Sequence, residues 1–175
     1  MRTLLSSLSL AIVAVLVPHR GSAQGPPGGG APVAPVAGID LATARKLAAA
    51  AEAAAIGAGA RVAIAIVDVN GDLVYFQRMD GAHPMAVTSS QGKARAAVLF
   101  GMPTKALQDA MAAGRPVSAT LTAPPRGAVE LTPMQGGVPI LKDGKVVAAI
   151  GVGGAAPAQD EAFALAGINA ISPGK

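Results

Sequence analysis

Two pairs of short apolar runs, each folded about a turn dipeptide, constrain this chain more than anything else in it. Ala63 to Asp68 and Leu73 to Met79 are rich in Val, Ile and aromatic residues and flank Asn70-Gly71. Val138 to Leu141 and Lys145 to Val152 flank Asp143-Gly144 in the same way. Both dipeptides tolerate φ > 0 at the two central positions of a tight turn, so each pair predicts a hairpin of antiparallel strands. Helical patterns surround these hairpins: Leu41 to about Ile56, Met85 to Phe100, a short one from Pro103-Thr104 through Met111, and Pro157 to Ile171. Ser118 to Pro125 reads as an irregular loop or a short edge strand. The order helix, two strands, two helices, two or three strands, helix predicts an α+β domain with an antiparallel sheet.

The helix ends carry their own signals. The Asp40 carboxylate is placed to cap the first helix, and Gly57 and Gly59 end it. That helix is almost entirely Ala and Leu, with Arg45, Lys46 and Glu52 keeping part of it in water, so a neighbour can approach closely. A sheet, or a twin helix from another subunit, would suit it. Pro84 fits the first turn of the second helix, with His83 just outside. Val87, Ala94, Ala97 and Val98 give that helix an apolar face, with Thr88, Ser89, Lys93 and Arg95 mostly on others. Gly92 in its middle weakens the helix by on the order of 1 kcal/mol relative to Ala, which points to a close neighbour there, protein or ligand. Asp160 and Glu161 in the first turn of the last helix favour its macrodipole.

Ahead of the domain, residues 1–23 read as a signal peptide. Met1-Arg2 supplies the charge, Leu4 to Val17 the apolar core, and Gly21-Ser22-Ala23 the small residues before a cut after Ala23. The apolar run is short for a bilayer span, so no stable membrane insertion is expected after cleavage. Residues 24–38, beginning QGPPGGGAPVAPVA, form a Pro/Gly-rich linker without periodicity, and the domain occupies 39–175. The expected destination is the periplasm or the exterior.

The formal charge of +4 includes Arg2 and Arg20, which leave with the leader. Twelve Lys and Arg against ten Asp and Glu remain, with few aromatics, which excludes a nucleic-acid partner of the usual basic kind. No cysteine is present, so disulfides, thiol catalysis and Cys metal sites are excluded. Of two histidines only His83 survives cleavage, so a multi-His metal site would have to be shared between subunits.

Several common motifs fail. Gly151-Val152-Gly153-Gly154 follows a strand and precedes a helix, yet it lacks the third glycine spacing and the βαβ unit of a dinucleotide turn, and reads as a strand end. No G-x-S-x-G elbow, Walker loop, H-E-x-x-H or EF-hand loop occurs. Polar chemistry concentrates in Arg78-Met79-Asp80-Gly81-Ala82-His83-Pro84, just after the second strand. Asp80 and His83 are candidate proton carriers, and with Ser89 or Ser90 they hold the residue types of a hydrolytic triad. His83 is either a helix-entry residue or a ligand. For the ligand, Met79 and Met85 would make a soft wall, and His is a common proximal ligand of heme iron. Arg78 and Lys93 could face ligand carboxylates. Met134 reads as core filler.

The blocks I-V-D-x-N-G-D-L-V-x-F-x-R-M-D-G-A, Q-G-K-A-R-A-A-x-x-F-G-x-P-T-x-A-L, L-T-P-M-Q-G-G-V-P-I and G-K-V-V-A-A-I-G-V-G-G, followed by Q-D-E, occur in unbroken order between Leu41 and Ile171. This series resembles the HbpS/GlcG-like heme-binding family. The resemblance implies a profilin-like α/β/α sandwich around a five-stranded antiparallel sheet, assembled into homo-oligomers. It also implies heme binding, with degradation proposed for some exported members. The matching residues are Arg78, Asp80, Gly81, Lys93, Arg95, Pro103, Thr104, Gly136, Gly137 and Pro139. A heme site would draw on Arg78, His83, Met85, Thr88 and Lys93, with iron on His83, or on Thr88 if a hydroxyl holds it. Against this stand a hydrolase or isomerase of small organic acids, with Arg78 and Lys93 as carboxylate anchors, and a non-catalytic small-molecule-binding module.

Overall fold

The computed structural model describes residues 38–115 and 130–171. The leader, almost all of the linker, and Ser118 to Pro125 lie outside them. Along the chain come α1 (Leu41–Gly57), β1 (Ala63–Asp68), β2 (Leu73–Arg78), α2 (Met85–Phe100), α3 (Thr104–Ala112), β3 (Gly137–Lys142), β4 (Lys145–Gly153) and α4 (Pro157–Ile171). The four helices and both hairpins stand close to where the patterns put them.

Every strand pairing is antiparallel, and the sheet order is β2-β1-β4-β3. The sheet therefore has four strands among the described residues, where the resemblance led us to expect five. Two hairpins supply four strands and join through β1 and β4, with Ala63 opposite Gly153 and Asp68 opposite Ala148. The described residues hold no fifth strand. Pro139 sits in β3, an edge strand, where its missing N–H does least damage to the ladder.

The first turn differs from expectation. Gly71 alone takes a positive φ, of 79°, while Asn70 does not. Gly71 N–H donates to Asp68 O at 3.0 Å and Asp68 N–H to Asp72 O at 2.9 Å, and the register slips between Ile66 and Val67. Asp68 explains the longer loop, because its Oδ1 accepts from both Asn70 N–H and Asp72 N–H at 2.9 Å. The second hairpin keeps the expected form, with φ of 51° at Asp143 and 73° at Gly144.

Strand periodicity divides the core into two unlike faces. Ile64 and Ile66 of β1, Ile150 and Val152 of β4, and Val138 and Ile140 of β3 pack with Leu47 of α1 and Phe163 of α4. On the opposite face Ala65, Val67 and Ala149 meet Ala94, Ala97 and Val98 of α2. Large side chains thus lie beneath α1 and α4, and small ones beneath α2. Between α1 and α4 the contact is also close, since a methyl group at Gly167 would come within 2.8 Å of Leu47 O. The alanine-rich helix finds its neighbours in its own chain. Asp40 caps it as expected, its Oδ1 accepting from Thr43 N–H at 2.6 Å, and this contact holds the carboxyl below the usual carboxylate range.

The small-residue face explains the glycines of the last strand. A methyl group at Gly151 would overlap Ser90 O, and one at Gly153 would overlap Ser89 Oγ. Both residues belong to β4 itself, so this run is a seat for α2 and not a phosphate loop. Gly92 answers a different neighbour, because Thr132, in the segment before β3, occupies the space a side chain would need.

Replacing Gly151 by Ala should force α2 off the sheet and destabilise the fold by roughly 1–3 kcal/mol or more, the range for overpacking a close contact. Gly57→Ala meets open space and needs no positive φ, so it should raise stability by up to about 1 kcal/mol. Urea denaturation midpoints at constant slope would read both changes, and equal effects would contradict the close seating of α2.

Candidate functional site

The polar segment after β2 is built as a clamped turn. Met79 N–H donates to Val62 O at 3.0 Å, which continues the β1–β2 contact one step past the ladder. Ala82 N–H then donates to Met79 O at 3.1 Å, closing a turn in which Gly81 takes a φ of 79°. That value at the third turn position is strongly unfavourable for a residue with a Cβ. Arg78 closes over the turn, its Nε at 3.2 Å and Nη2 at 2.8 Å from Ala82 O. The guanidinium therefore holds the backbone that delivers His83.

His83 sits exposed at the entry to α2. Its Nδ1 accepts from Met85 N–H at 3.1 Å. Pro84, which precedes the helix, has no side chain able to cap, so the imidazole satisfies one of the donors that a helix start leaves open. In the neutral ring this places the proton on Nε2, the outward nitrogen, which has no partner among the described residues. Met85 is 62% exposed beside it. Thr88, half-buried one turn along, shares the face with Met85.

The other polar residues divide differently from the sequence reading. Asp80 is exposed and makes no hydrogen bond or ion pair among the described residues. Ser89 Oγ donates to Ala86 O at 3.5 Å and Ser90 Oγ to Val87 O at 3.2 Å. Both hydroxyls turn back on their own helix, so no triad with Asp80 and His83 is assembled. Arg95, on the same helix, donates from Nε to Gly71 O at 3.3 Å and pins the first hairpin.

Lys93 is not turned toward His83. Its Nζ lies 2.7 Å from Asp160 Oδ2 and 3.0 Å from Val152 O, and the two side chains are 4% and 2% exposed. Asp160 Oδ1 in turn accepts from Ala155 N–H at 3.0 Å. One buried ion pair thus ties α2, the exit of β4 and the first turn of α4. Burial pushes the Asp160 carboxyl up, against the opposing pull of Lys93 and of Ala155 N–H. The helical pattern placed Lys93 outward, but it stands on the buried side with Ser90, Ala94 and Ala97. The acid that would signal this lies in the Q-D-E block, which by itself reads only as a helix start.

Thr104 has a similar framework role. Its Oγ1 accepts from Gly137 N–H at 2.8 Å and lies 3.3 Å from Gly137 O, joining α3 to β3. Sequence reasoning passed over Arg61 altogether. It stands immediately before Val62, the partner of Met79, and its Cγ would lie 3.9 Å from a methyl group placed at Gly81. A methyl group at Gly154 would meet Arg61 O at 2.8 Å and the Ala86 side chain at 3.3 Å. The start of β1, the clamped turn, the exit of β4 and the entry of α2 therefore meet at one end of the sheet.

The family model described as "Haem degrading protein HbpS-like" matches residues 39–169. Protein GlcG of Escherichia coli (strain K12) is 41% identical over 91 residues, which make up 52% of this chain and 63% of that protein. The matched part thus spans less than two thirds of GlcG. Among solved structures, a double mutant of Streptomyces reticuli HbpS is 34% identical, with a TM-score of 0.67 and coverage of 83% of this chain and 99% of that one. A structure described as a PduOC:Heme complex is 26% identical, with a TM-score of 0.68 and coverage of 78% and 97%.

Lys93→Met should destabilise the protein by roughly 3–5 kcal/mol, because it leaves a buried carboxyl without its cation. The double variant Lys93→Met, Asp160→Leu should recover much of that loss. Burial raises the Asp160 carboxyl and Lys93 opposes it, so with Lys93 gone the carboxyl should rise further, leaving the single variant most stable in acid and losing stability as pH climbs through its own folded-state value. Denaturation curves across pH test both statements; equal stability of the single and double variants would contradict the pair's role.

Proposed function

The chain belongs to the HbpS-like family, and on that footing we propose that it is an exported heme-binding protein. The observation that carries the reading is the exposed His83 at the entry of α2, whose Nε2 has no partner among the described residues. Imidazole is an established ligand of heme iron, and the exposed Met85 and half-buried Thr88 beside it suit a flat, largely apolar ligand. The PduOC relative, described as a heme complex, supports the same ligand. When bound, heme would supply the iron and the porphyrin chemistry. The chain supplies the ligand nitrogen and the rigid turn behind it.

His83 meets this role with one adjustment. Coordination through Nε2 requires the ring proton on Nδ1, which can then no longer accept from Met85 N–H. Ligation therefore exchanges one exposed helix-cap contact, worth on the order of 1 kcal/mol, for a metal bond. His83 and Met85 are exposed here, and the reading includes a homo-oligomer in which a second copy of the chain supplies the opposite wall. Export rests on the leader in residues 1–23. The rival reading, a hydrolase or isomerase of small organic acids, is weakened because Lys93, one of its two carboxylate anchors, is held by Asp160 and Val152 O.

Titration of the mature protein with hemin should give a saturable Soret shift, and His83→Ala should weaken it by roughly tenfold or more. No shift at all would remove the heme reading, while an unchanged His83→Ala titration would move the ligand to Thr88, to be checked with Thr88→Val. Reductant and oxygen added to the complex separate storage from breakdown, since only breakdown bleaches the Soret band. Expressed with its leader in a bacterial host, the exported protein should begin at Gln24 on N-terminal sequencing; a retained Met1 would contradict cleavage.

A further inference from the structure

We infer that Arg61 is the residue that binds the carboxylate side arms of the ligand at this corner, a reading that rests on the heme-binding proposal above. Of the cations Lys93, Arg78 and Arg61, the structure engages the first two with framework partners. Lys93 is buried against Asp160 and Val152 O. Arg78 directs Nε and Nη2 at Ala82 O, so the edge of its fork that best matches a carboxylate is already occupied.

Arg61 differs from both. It is exposed, forms no ion pair among the described residues, and has a single hydrogen bond, from Nη1 to the neighbouring Ala60 O at 3.0 Å. Its Nε and Nη2 donors have no partner among the described residues, and these form the paired edge that grips a carboxylate with two parallel bonds. The backbone at Arg61 is fixed on two sides. Val62 is tied to Met79 through Met79 N–H and through Met79 Sδ at 3.5 Å, and Gly154 packs against Arg61 O. The stem of the side chain runs beside Gly81, the residue that shapes the turn leading to His83. A ligand with an apolar body and anionic arms, held at its metal by His83, would meet Arg61 as a cation with open donors at the same end of the sheet. Asp80 in the same turn forms no ion pair with Arg61.

The test compares hemin, whose two side arms are carboxylates, with hemin dimethyl ester, in which both are masked. Wild type, Arg61→Gln, Arg61→Lys and Arg45→Gln are titrated by Soret absorbance; Arg45→Gln removes the same charge from the exposed face of α1. Arg61→Gln should raise the Kd for hemin about tenfold or more, the loss expected for a charge-assisted contact, and leave the Kd for the ester unchanged. Arg61→Lys should fall between, because it keeps the charge and loses the fork. The inference is overturned if Arg61→Gln behaves like Arg45→Gln, or if it weakens hemin and ester equally. Failure of the wild type to bind either porphyrin would overturn the heme reading itself, and the role of Arg61 with it.

Discussion

The seating of α2 on the small-residue face of the sheet is the contact on which the rest of the architecture depends. Ala65, Ala149, Gly151 and Gly153 leave a surface without side-chain bulk, and Ser90, Ala94 and Ala97 meet it from the helix. The other face needs no such closeness, because Ile64, Ile66 and Ile150 fill the distance to α1 and α4 with their own volume. The axis of α2 is fixed by backbone contact, and so is the point where its first turn emerges. His83 stands where it does because α2 has nowhere else to lie.

That closeness also accounts for the buried charge. With the helix backbone against β4, the long Lys93 side chain runs inward beneath the helix and reaches Asp160 on α4 and the carbonyl of Val152. Ion pairs of this kind add little net stability over an apolar pair of equal volume, but they tolerate only one arrangement of their partners. Here the arrangement ties the helix on one face of the sheet to a helix on the other. The exit of β4, which borders Arg61 and the first turn of α2, is held from below by the same pair.

Much of the fold was legible in the sequence because its signals are local. The hairpins were carried by turn dipeptides, α1 by its Asp40 cap, and the remaining helices by their Pro starts. What escaped was set by tertiary contact. The inward turn of Lys93 depends on an acid 67 residues away. The loop at Asn70 lengthens because Asp68 bonds across it, which the Asn-Gly pair does not foretell. The site was legible as a segment and not as a geometry. His83 and Arg78 lie together where the residues put them, Lys93 does not join them, and Arg61 falls in a stretch with no motif. Several residues that carry the family likeness, among them Lys93, Arg95 and Thr104, have framework partners in this structure, so the likeness speaks first to how the chain folds.

The sheet order has a kinetic corollary. Each hairpin joins neighbours in sequence and can form within microseconds, but the central ladder needs Ala63 to find Gly153 and Asp68 to find Ala148. Loop-closure entropy opposes that encounter until β1 and β4 zip together and α2 settles across the join. Since neither hairpin is stable alone, both wait on the pairing at the middle of the sheet, and lengthening the Pro-rich connection before β3 would add only slightly to the entropy of that closure.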